Sequence, residues 1–210
     1  MKLYYSPGAC SLAPHIALRE AERRFDLERV DLKTRRTASG RDFTEINPKG
    51  YVPCLELTGG ETLTEAQVIL QYIGDLVPDQ GLVPAAGSFA RYHLQEWLSF
   101  ISTELHKQFS PLSGPGLPHA VQSMLRGKIG ERMTYVQEAL SDRAFLMGET
   151  FSVADAYLFV MLQWCDKFSI DLSMWPILDE YEERISQRPA VEAAIAAEGL
   201  HGRHRFRHSA

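Results

Sequence analysis

The segment "YYSPGACSLAPHI", from Tyr4 to Ile16, places one cysteine where a short apolar strand gives way to a helix. "KLYY" is rich in β-forming residues and "SPG" stops it, while good helix formers follow Ser11. Pro14 suits the first helical turn, where its missing N–H has no intrahelical acceptor to lose. The pattern predicts a strand and then a helix that begins near Cys10 or Ser11.

The rest of residues 1–80 completes a small α/β unit. "FDLERVDL" alternates apolar and polar residues and predicts a second strand, "GRDFTEI" predicts a short helix, and "CLEL" and "TL" predict two strands joined by a Gly-Gly turn. In "TEAQVILQYIGDLVP" we expect Thr64 and Gln67 to start a helix as a capping box and Pro78 to end it. The order βαβ-α-ββα predicts a small sheet with helices packed on it.

The composition then changes, and the second half reads as helical. "VPDQGLVPAAGS" is rich in Pro and Gly, which predicts a linker at 81–87, and apolar residues recur at helical spacing over 88–200. We predict helices at about 89–109, 119–140, 153–167 and 177–187, and one that begins near Pro189. Ser152 and Asp155 match a capping box. Residues 201–210 hold one large apolar residue, so we expect disorder there and assign no function.

The composition excludes several classes of protein. The chain has 210 residues, 45% of them hydrophobic, and a formal net charge of -5, which is enough for a packed core and argues against a general nucleic-acid binder. The start lacks the apolar run of about 7–15 residues of a signal peptide, and no run reaches membrane-spanning length. Three scattered cysteines favour free thiols over a disulfide framework or a zinc site. We expect a cytoplasmic protein with no membrane or nucleic-acid partner.

Cys10 is the first candidate for chemistry. Free amide hydrogens and the helix dipole at a helix N-terminus favour the thiolate, so we expect an exposed thiol with a lowered pKa. The alternative is a small buried hydrophobe, which is common for free cysteine. Ala13 stands where a C-x-x-C motif has its second cysteine, so Cys10 could form a mixed disulfide but no local one.

Two further segments carry candidate residues. In "NPKGYVPCLEL" a proline directly precedes a strand; a cis peptide bond there would let the backbone bind an extended peptide, and a trans proline that starts the strand is the alternative. In "TLTEAQ" the Glu65 carboxylate could receive a substrate ammonium, although the helix dipole alone can account for an acidic first turn. The sequence leaves open whether Cys54 approaches Cys10, and we expect His15 to face helix neighbours or solvent.

Six segments, taken together and in this order, indicate a family: "MKLYYSPGACSLAPHIALRE", "DFTEINPKGYVPCLEL", "TLTEAQVILQYI", "RYHLQEWLSFISTELHK", "FSVADAYLF" and "QRPAVEAAIAAEGL". From Met1 to about Leu200 the chain resembles the bacterial beta-class glutathione transferases. The resemblance implies a thioredoxin-like N-terminal domain that binds glutathione, an all-α C-terminal helical domain that supplies an electrophile pocket, and a homodimer. Glutathione would be a co-substrate, with no cofactor and no metal.

The resemblance also implies the site residues. Cys10 and His106 would be catalytic and share the polarisation of the glutathione sulfur. The residues expected to bind glutathione are Ala9, Cys10, Arg35, Tyr51, Val52, Pro53, Glu65, Ala66, Ser99, Thr103, Glu104, His106 and Lys107. The family often has asparagine where Ser99 stands and serine or glycine where Ala66 stands, whereas Arg35 keeps the charge of a frequent lysine.

Spacing gives independent support for the second half of that set. Glu96, Ser99, Thr103 and His106 fall on one polar stripe of a helix. A solvent-facing stripe is one interpretation; a polar face turned into an interdomain cleft, where ligand sites are common, is the other. We expect the electrophile pocket to be built from Ala9, residues 110–118 and the helix near Trp164.

The expected function is an enzyme that joins glutathione to small hydrophobic electrophiles, with weak conjugation and substantial thiol-transfer or mixed-disulfide chemistry at Cys10. Reductive dehalogenation of chlorinated aromatic metabolites with glutathione is one alternative, and non-catalytic binding of apolar ligands is another. A dithiol oxidoreductase is disfavoured by Ala13 and by the whole helical half.

Overall fold

The computed structural model describes residues 1–114 and 116–200. Its first half holds five strands and two α-helices, namely β1 (Lys2–Tyr5), α1 (Leu12–Glu20), β2 (Asp26–Asp31), β3 (Arg36–Thr37), β4 (Cys54–Glu56), β5 (Thr62–Thr64) and α2 (Ala66–Asp75). The strands form one sheet in the order β3-β2-β1-β4-β5. β1 and β2 are parallel and the other neighbours are antiparallel. This is the expected α/β unit, thioredoxin-like in its βαβ-α-ββα order.

Local signals located these elements well, with three differences. The two-residue strand β3, which pairs with the end of β2, was not predicted. The expected short helix over 40–46 is a single 3₁₀ turn, Phe43–Glu45, capped by the Asp42 side chain. The expected capping box of Thr64 and Gln67 is wrong, because α2 begins one residue later with Glu65 at its N-cap and has no side-chain cap.

The described part of the second half is helical. It comprises α3 (Phe89–Phe100), a π-helical segment (Ile101–His106), α4 (Lys107–Phe109), α5 (His119–Ala139), α6 (Val153–Lys167), α7 (Pro176–Ser186) and α8 (Pro189–Ala197). The predicted long helix over 89–109 is therefore helical throughout, but its hydrogen-bond ladder widens over six residues in the middle. At α6 the Asp155 carboxylate accepts the backbone N–H of Ser152 at 2.8 Å, which confirms the predicted capping box.

Helix α1 joins the two halves. Its residues from Leu12 to Leu18 are all buried, and it packs against α2 on one side and against α6 and α8 on the other. Burying a single leucine or isoleucine side chain stabilises a fold by about 1.5–3 kcal/mol, so Leu12, Ile16 and Leu18 tie the sheet firmly to the helical half. One continuous apolar cluster consequently runs through both halves, and it holds Cys10 at its edge.

Two expectations about the whole chain stay predictions, and one on membrane spans has an outcome. The proposed limits of the domains, 1–80 and 88–200 with a linker at 81–87, stay predictions. The expected disorder of 201–210 concerns residues outside the described part. Among the described residues, no helix combines the length and apolar character that a membrane span requires.

Candidate active site

Cys10 lies in the turn between β1 and α1, directly before the N-cap residue Ser11. Its side chain is buried, with 8% exposure, and its Sγ lies 3.4 Å from the carbonyl oxygen of Val52. Burial raises the pKa of the Cys10 thiol to about 12, although the backbone amides of Cys10 and Ser11 act to lower it. The expected exposed thiol with a lowered pKa is therefore wrong, because loss of water around the sulfur outweighs the helix N-terminus.

This burial predicts slow alkylation of Cys10. A thiol whose pKa is near 12 is thiolate to only a minute fraction at pH 7.5, so we expect iodoacetamide to modify Cys10 at least about a hundredfold more slowly than in the urea-unfolded chain. The rate should climb with pH throughout the range from 7 to about 10. Mass spectrometry of the Cys10 peptide measures the rate, and a plateau below pH 8 would contradict the prediction.

The wall opposite Cys10 is the turn before β4. The Val52–Pro53 peptide bond is cis, the choice that the sequence left open. The Val52 carbonyl faces the Cys10 sulfur, and none of the hydrogen bonds among the described residues uses the Val52 N–H. Asn47 holds the turn from behind by donating to the Tyr51 carbonyl oxygen at 2.7 Å. The carbonyl of an extended peptide can therefore accept from the Val52 N–H without displacing a bond.

Cys54 and Cys10 occupy different parts of the interior. Cys54 is fully buried with Tyr4, Val30 and Phe43, in an apolar cluster separate from the one that holds Cys10. Both cysteines are free thiols. The two side chains thus pack in separate apolar clusters, and they form no disulfide with each other.

Glu65 lies at the start of α2 in a strained conformation, with φ 71° and ψ 117°. Its Oε1 accepts hydrogen bonds from the Lys49 ammonium at 2.6 Å and from the Tyr51 hydroxyl at 3.0 Å. The hydrogen bond from Lys49, followed by that from Tyr51, keeps the pKa of the Glu65 carboxyl below its usual value despite partial burial. Behind the carboxylate, the N–H groups of Ala66 and Gln67 begin the helix without intrahelical acceptors. A carboxylate and free amides thus lie side by side.

His106 ends the π-helical segment and faces α6. Its Nδ1 lies 2.7 Å from the hydroxyl of Tyr157, and its ring packs edge-on against Trp164 at a centroid distance of 5.0 Å. Burial, helped by the nearby Lys107 ammonium, lowers the pKa of His106 to about 4. The imidazole is neutral at pH 7 and can donate from one ring nitrogen only.

Electrostatics place these groups in one site. The Glu65 carboxylate raises the pKa values of both Cys10 and His106, whereas the Lys107 ammonium lowers both. Since Glu65 and Lys107 each act on both Cys10 and His106, the four side chains belong to the same region of the structure. The arrangement offers a buried thiol, a neutral imidazole, one cation and one anion around a peptide-binding turn.

Comparison with known proteins assigns this arrangement. Residues 8–76 match the family model of the glutathione S-transferase N-terminal domain, and residues 100–189 match that of the C-terminal domain. Glutathione S-transferase GstA of Escherichia coli O157:H7 is 44% identical over 95% of this chain and 100% of its own. A bacterial beta-class glutathione S-transferase of Sphingomonas chungbukensis superposes with a TM-score of 0.93, at 49% identity over 96% of this chain and 100% of that one.

The chain is a bacterial beta-class glutathione S-transferase. A sphingomonad glutathione S-transferase solved in complex with glutathione is also similar to it, with a TM-score of 0.92 and 48% identity over 96% of this chain and 100% of that one. The predicted fold, an α/β thioredoxin-like N-terminal domain followed by an all-α C-terminal helical domain, is thereby confirmed.

The helical half of the transferase fixes the loop that carries Cys10. Gly8, with φ 67°, donates its N–H to Glu198 Oε2 at 2.9 Å, and its carbonyl oxygen accepts the Trp164 indole N–H at 2.9 Å. The other Glu198 oxygen lies 2.9 Å from His15 Nδ1, and Arg19 donates to His15 Nε2. Because Nε2 accepts from Arg19, the His15 ring proton lies on Nδ1 and points at Glu198.

His15 is thus fully buried, so the expectation of a solvent-facing side chain is wrong, although Arg19 is a helix neighbour as predicted. Sequence reasoning missed the roles of Glu198, Lys49 and Tyr157, all of which lay in quoted segments without being singled out. Their roles depend on contacts across many residues of chain, which no local pattern indicates.

The remaining predicted residues have varied surroundings. Arg35 has a φ of 54°, and its side chain packs over Gly50. A Cβ at position 50 would lie 3.4 Å from the guanidinium carbon of Arg35. The exposed Thr103 hydroxyl donates to the carbonyl oxygen of Ser99 at 3.0 Å. Glu104 instead accepts from Arg132 of α5 at 2.8 Å, so a contact with glutathione would have to share that bond. The assignment of all these residues to glutathione stays a prediction.

An apolar cavity of about 170 Å³ adjoins the Cys10 loop. Its lining includes Gly8, Leu12, Trp164, Lys167 and Leu200. The cavity lies between α1, α6 and α8 and shares Trp164 with the predicted electrophile pocket, whereas Ala9 and the described residues of 110–118 are not among its lining residues.

Proposed function

We propose that the transferase binds glutathione along the Val52 turn and joins its sulfur to small hydrophobic electrophiles, while Cys10 remains a thiol that hydrogen-bonds the reacting sulfur. The observation that supports this role most directly is that Cys10 is buried and protonated while His106, in the same region, is neutral. Two neutral donors at one sulfur favour its thiolate, because each hydrogen bond to the charged form is stronger than one to the thiol.

Each end of the tripeptide has a matching group. The Val52 N–H suits the cysteinyl carbonyl of glutathione, and Glu65 Oε2 suits its γ-glutamyl ammonium. The N–H groups at the start of α2, from Ala66 onward, suit the adjacent carboxylate. Lys107 and Arg35 supply positive charge for the carboxylate at the glycine end. Together these contacts position the sulfur beside Cys10 and His106.

The chemical step follows from the same groups. The bound glutathione loses its thiol proton to water, and its sulfur forms a bond to an electrophilic carbon as the leaving group departs with its bonding electrons. Before the attack the Cys10 S–H turns from the Val52 carbonyl to the glutathione sulfur, and His106 donates a second hydrogen bond to it. The enzyme adds proximity, because the apolar cavity beside Trp164 can hold the electrophile next to the sulfur.

Mixed-disulfide chemistry at Cys10 is expected to be slower than conjugation. Exchange with oxidised glutathione forms a Cys10–glutathione disulfide, releases glutathione and requires Cys10 as thiolate. Burial, which raises the pKa of Cys10 to about 12, makes that thiolate scarce at neutral pH. The structure therefore favours conjugation over thiol transfer as the main activity.

Conjugation of glutathione to 1-chloro-2,4-dinitrobenzene tests the proposal. We expect wild-type turnover, a loss in kcat/KM of about tenfold at most in Cys10→Ala, since a thiol is a weak donor, and complete loss of the mixed disulfide with glutathione in that variant. Cys165→Ala, which removes a buried cysteine from α6, is the matched control and should retain both reactions. Loss of all conjugation in Cys10→Ala would contradict the assigned role.

Two other functions are alternative outcomes of the same test. A wild type without conjugation that still releases halide from chlorinated aromatic metabolites would be a reductive dehalogenase. A protein that only binds such compounds would be a ligand carrier. The apolar cavity is compatible with conjugation, with dehalogenation and with ligand binding alone, so the activity of the wild type decides among these three functions.

We propose that the transferase is a homodimer located in the cytoplasm. Large apolar side chains are exposed on one helix of the first half and two of the second, namely Val68, Phe89, Tyr92 and Tyr135. Such a set is typical of a subunit interface. Three free thiols suit the reducing cytoplasm. Analytical ultracentrifugation gives the mass, and a monomer at micromolar concentration would exclude the dimer.

A further inference from the structure

The contact between His106 and α6 has a consequence for the direction of hydrogen bonding at the sulfur. Tyr157 is 1% exposed, and its hydroxyl lies 2.7 Å from His106 Nδ1. The two rings are nearly perpendicular, at 86°, and Trp164 meets the imidazole at 80°. The imidazole is therefore held in one orientation by two aromatic neighbours and one hydrogen bond.

We propose that Tyr157 is a positioning residue for His106: its hydroxyl donates to Nδ1, keeps the ring proton on Nε2 and thereby presents Nε2–H to the glutathione sulfur. The inference rests on the proposed function for the identity of the acceptor. The placement of the proton on the ring is independent of it.

The Tyr157 hydroxyl has a proton to donate. Burial raises the pKa of Tyr157 far above neutrality, so the hydroxyl keeps its proton. The hydroxyl proton then points at Nδ1, the hydrogen-bond partner that the described contacts give this oxygen, 2.7 Å away. A neutral ring that accepts at Nδ1 carries its hydrogen on Nε2.

The same contacts place this pair at the reacting sulfur. Cys10 and Glu65 both act to raise the pKa of Tyr157, and Glu65 also opposes the lowering of the His106 pKa, so Tyr157 and His106 lie in the region around Cys10. None of the hydrogen bonds among residues 1–114 and 116–200 uses Nε2 of His106. That nitrogen is available to a ligand.

The tautomer decides whether His106 stabilises or destabilises the thiolate of glutathione. An Nε2–H group donates to a thiolate and stabilises its charge, whereas a bare Nε2 lone pair would repel it. His15 shows the opposite arrangement, since Arg19 donates to its Nε2 and leaves the proton on Nδ1. In both rings a fixed donor selects the tautomer.

NMR of 15N-histidine-labelled protein without glutathione tests the assignment. The His106 signals are identified by their absence in His106→Asn, and two-bond correlations show which ring nitrogen carries the proton. We expect Nε2–H in the wild type and a mixture of tautomers in Tyr157→Phe, with kcat for conjugation lowered about tenfold and the KM for glutathione nearly unchanged. Tyr157 touches neither end of the proposed peptide site, which is why the loss should fall on kcat.

Tyr181→Phe is the matched control, because it removes another buried tyrosine hydroxyl, bonded to Asp155 at 2.7 Å, away from the site. It should lower stability while leaving the His106 tautomer and kcat unchanged. A proton on Nδ1 in the wild type, or an unchanged kcat in Tyr157→Phe, would overturn the inference. A wild type with Nε2–H but no conjugation would support the tautomer assignment and reject the proposed function instead.

Discussion

Asp155→Ala is expected to lower the free energy of unfolding by roughly 3–5 kcal/mol. Asp155 is fully buried, and its two oxygens accept four hydrogen bonds of 2.7–2.8 Å. The donors are the backbone N–H groups of Leu146 and Ser152 and the hydroxyls of Ser152 and Tyr181. Alanine would leave all of them without this acceptor in the interior, where water cannot replace it.

Urea denaturation of wild type and variant measures the loss. Asp142→Asn provides the control, because Asp142 is exposed and its carboxylate contacts only the neighbouring Arg143 among the described side chains. The control should change stability by less than about 0.5 kcal/mol. A loss below about 1 kcal/mol in Asp155→Ala would show that the carboxylate is dispensable for the start of α6.

Glu198→Ala is expected to reduce both stability and catalysis. The carboxylate binds the Gly8 N–H and His15, both of which would lose their partner inside the protein, and a loss of about 2–4 kcal/mol follows. Since Gly8 lies two residues before Cys10, the loop would also gain freedom at the sulfur. We expect kcat/KM for conjugation to fall about tenfold or more, because small displacements of catalytic groups are costly.

Two variants separate the causes. Glu192→Ala removes an exposed carboxylate from α8 and should leave both the free energy of unfolding and kcat/KM nearly unchanged. Glu198→Gln keeps an oxygen for one of the two donors, so it should retain part of the stability. Full activity in Glu198→Ala would mean that Trp164 alone suffices to hold the Gly8 loop.

The sequence predicted the elements that local chemistry specifies. The strand before Cys10, the cap formed by Ser152 and Asp155 and the order of the strands all follow from turn residues, capping residues and periodicity within short segments. The family resemblance then assigned roles to residues such as His106. These are statements about neighbours in the chain or about shared motifs.

The remainder depends on distant parts of the chain. Burial of Cys10 is caused by the packing of α1 between the sheet and the helical half, so the local helix N-terminus gave the wrong direction for its pKa. Glu65 replaced the expected cap because its carboxylate is held by Lys49 and Tyr51. The contact of Tyr157 with His106 spans 51 positions, beyond the reach of any periodic pattern.

The bond between Gly8 and Glu198 joins positions 190 apart, which matters for the newly made protein. A ribosome that adds about 5–20 residues per second completes α8 roughly 10–40 s after it has made the Cys10 loop. During that interval the loop lacks its last partners and the sulfur lacks its full cover. The nascent thiol is consequently more open to oxidants than the thiol of the finished enzyme, and full protection of Cys10 comes late in folding.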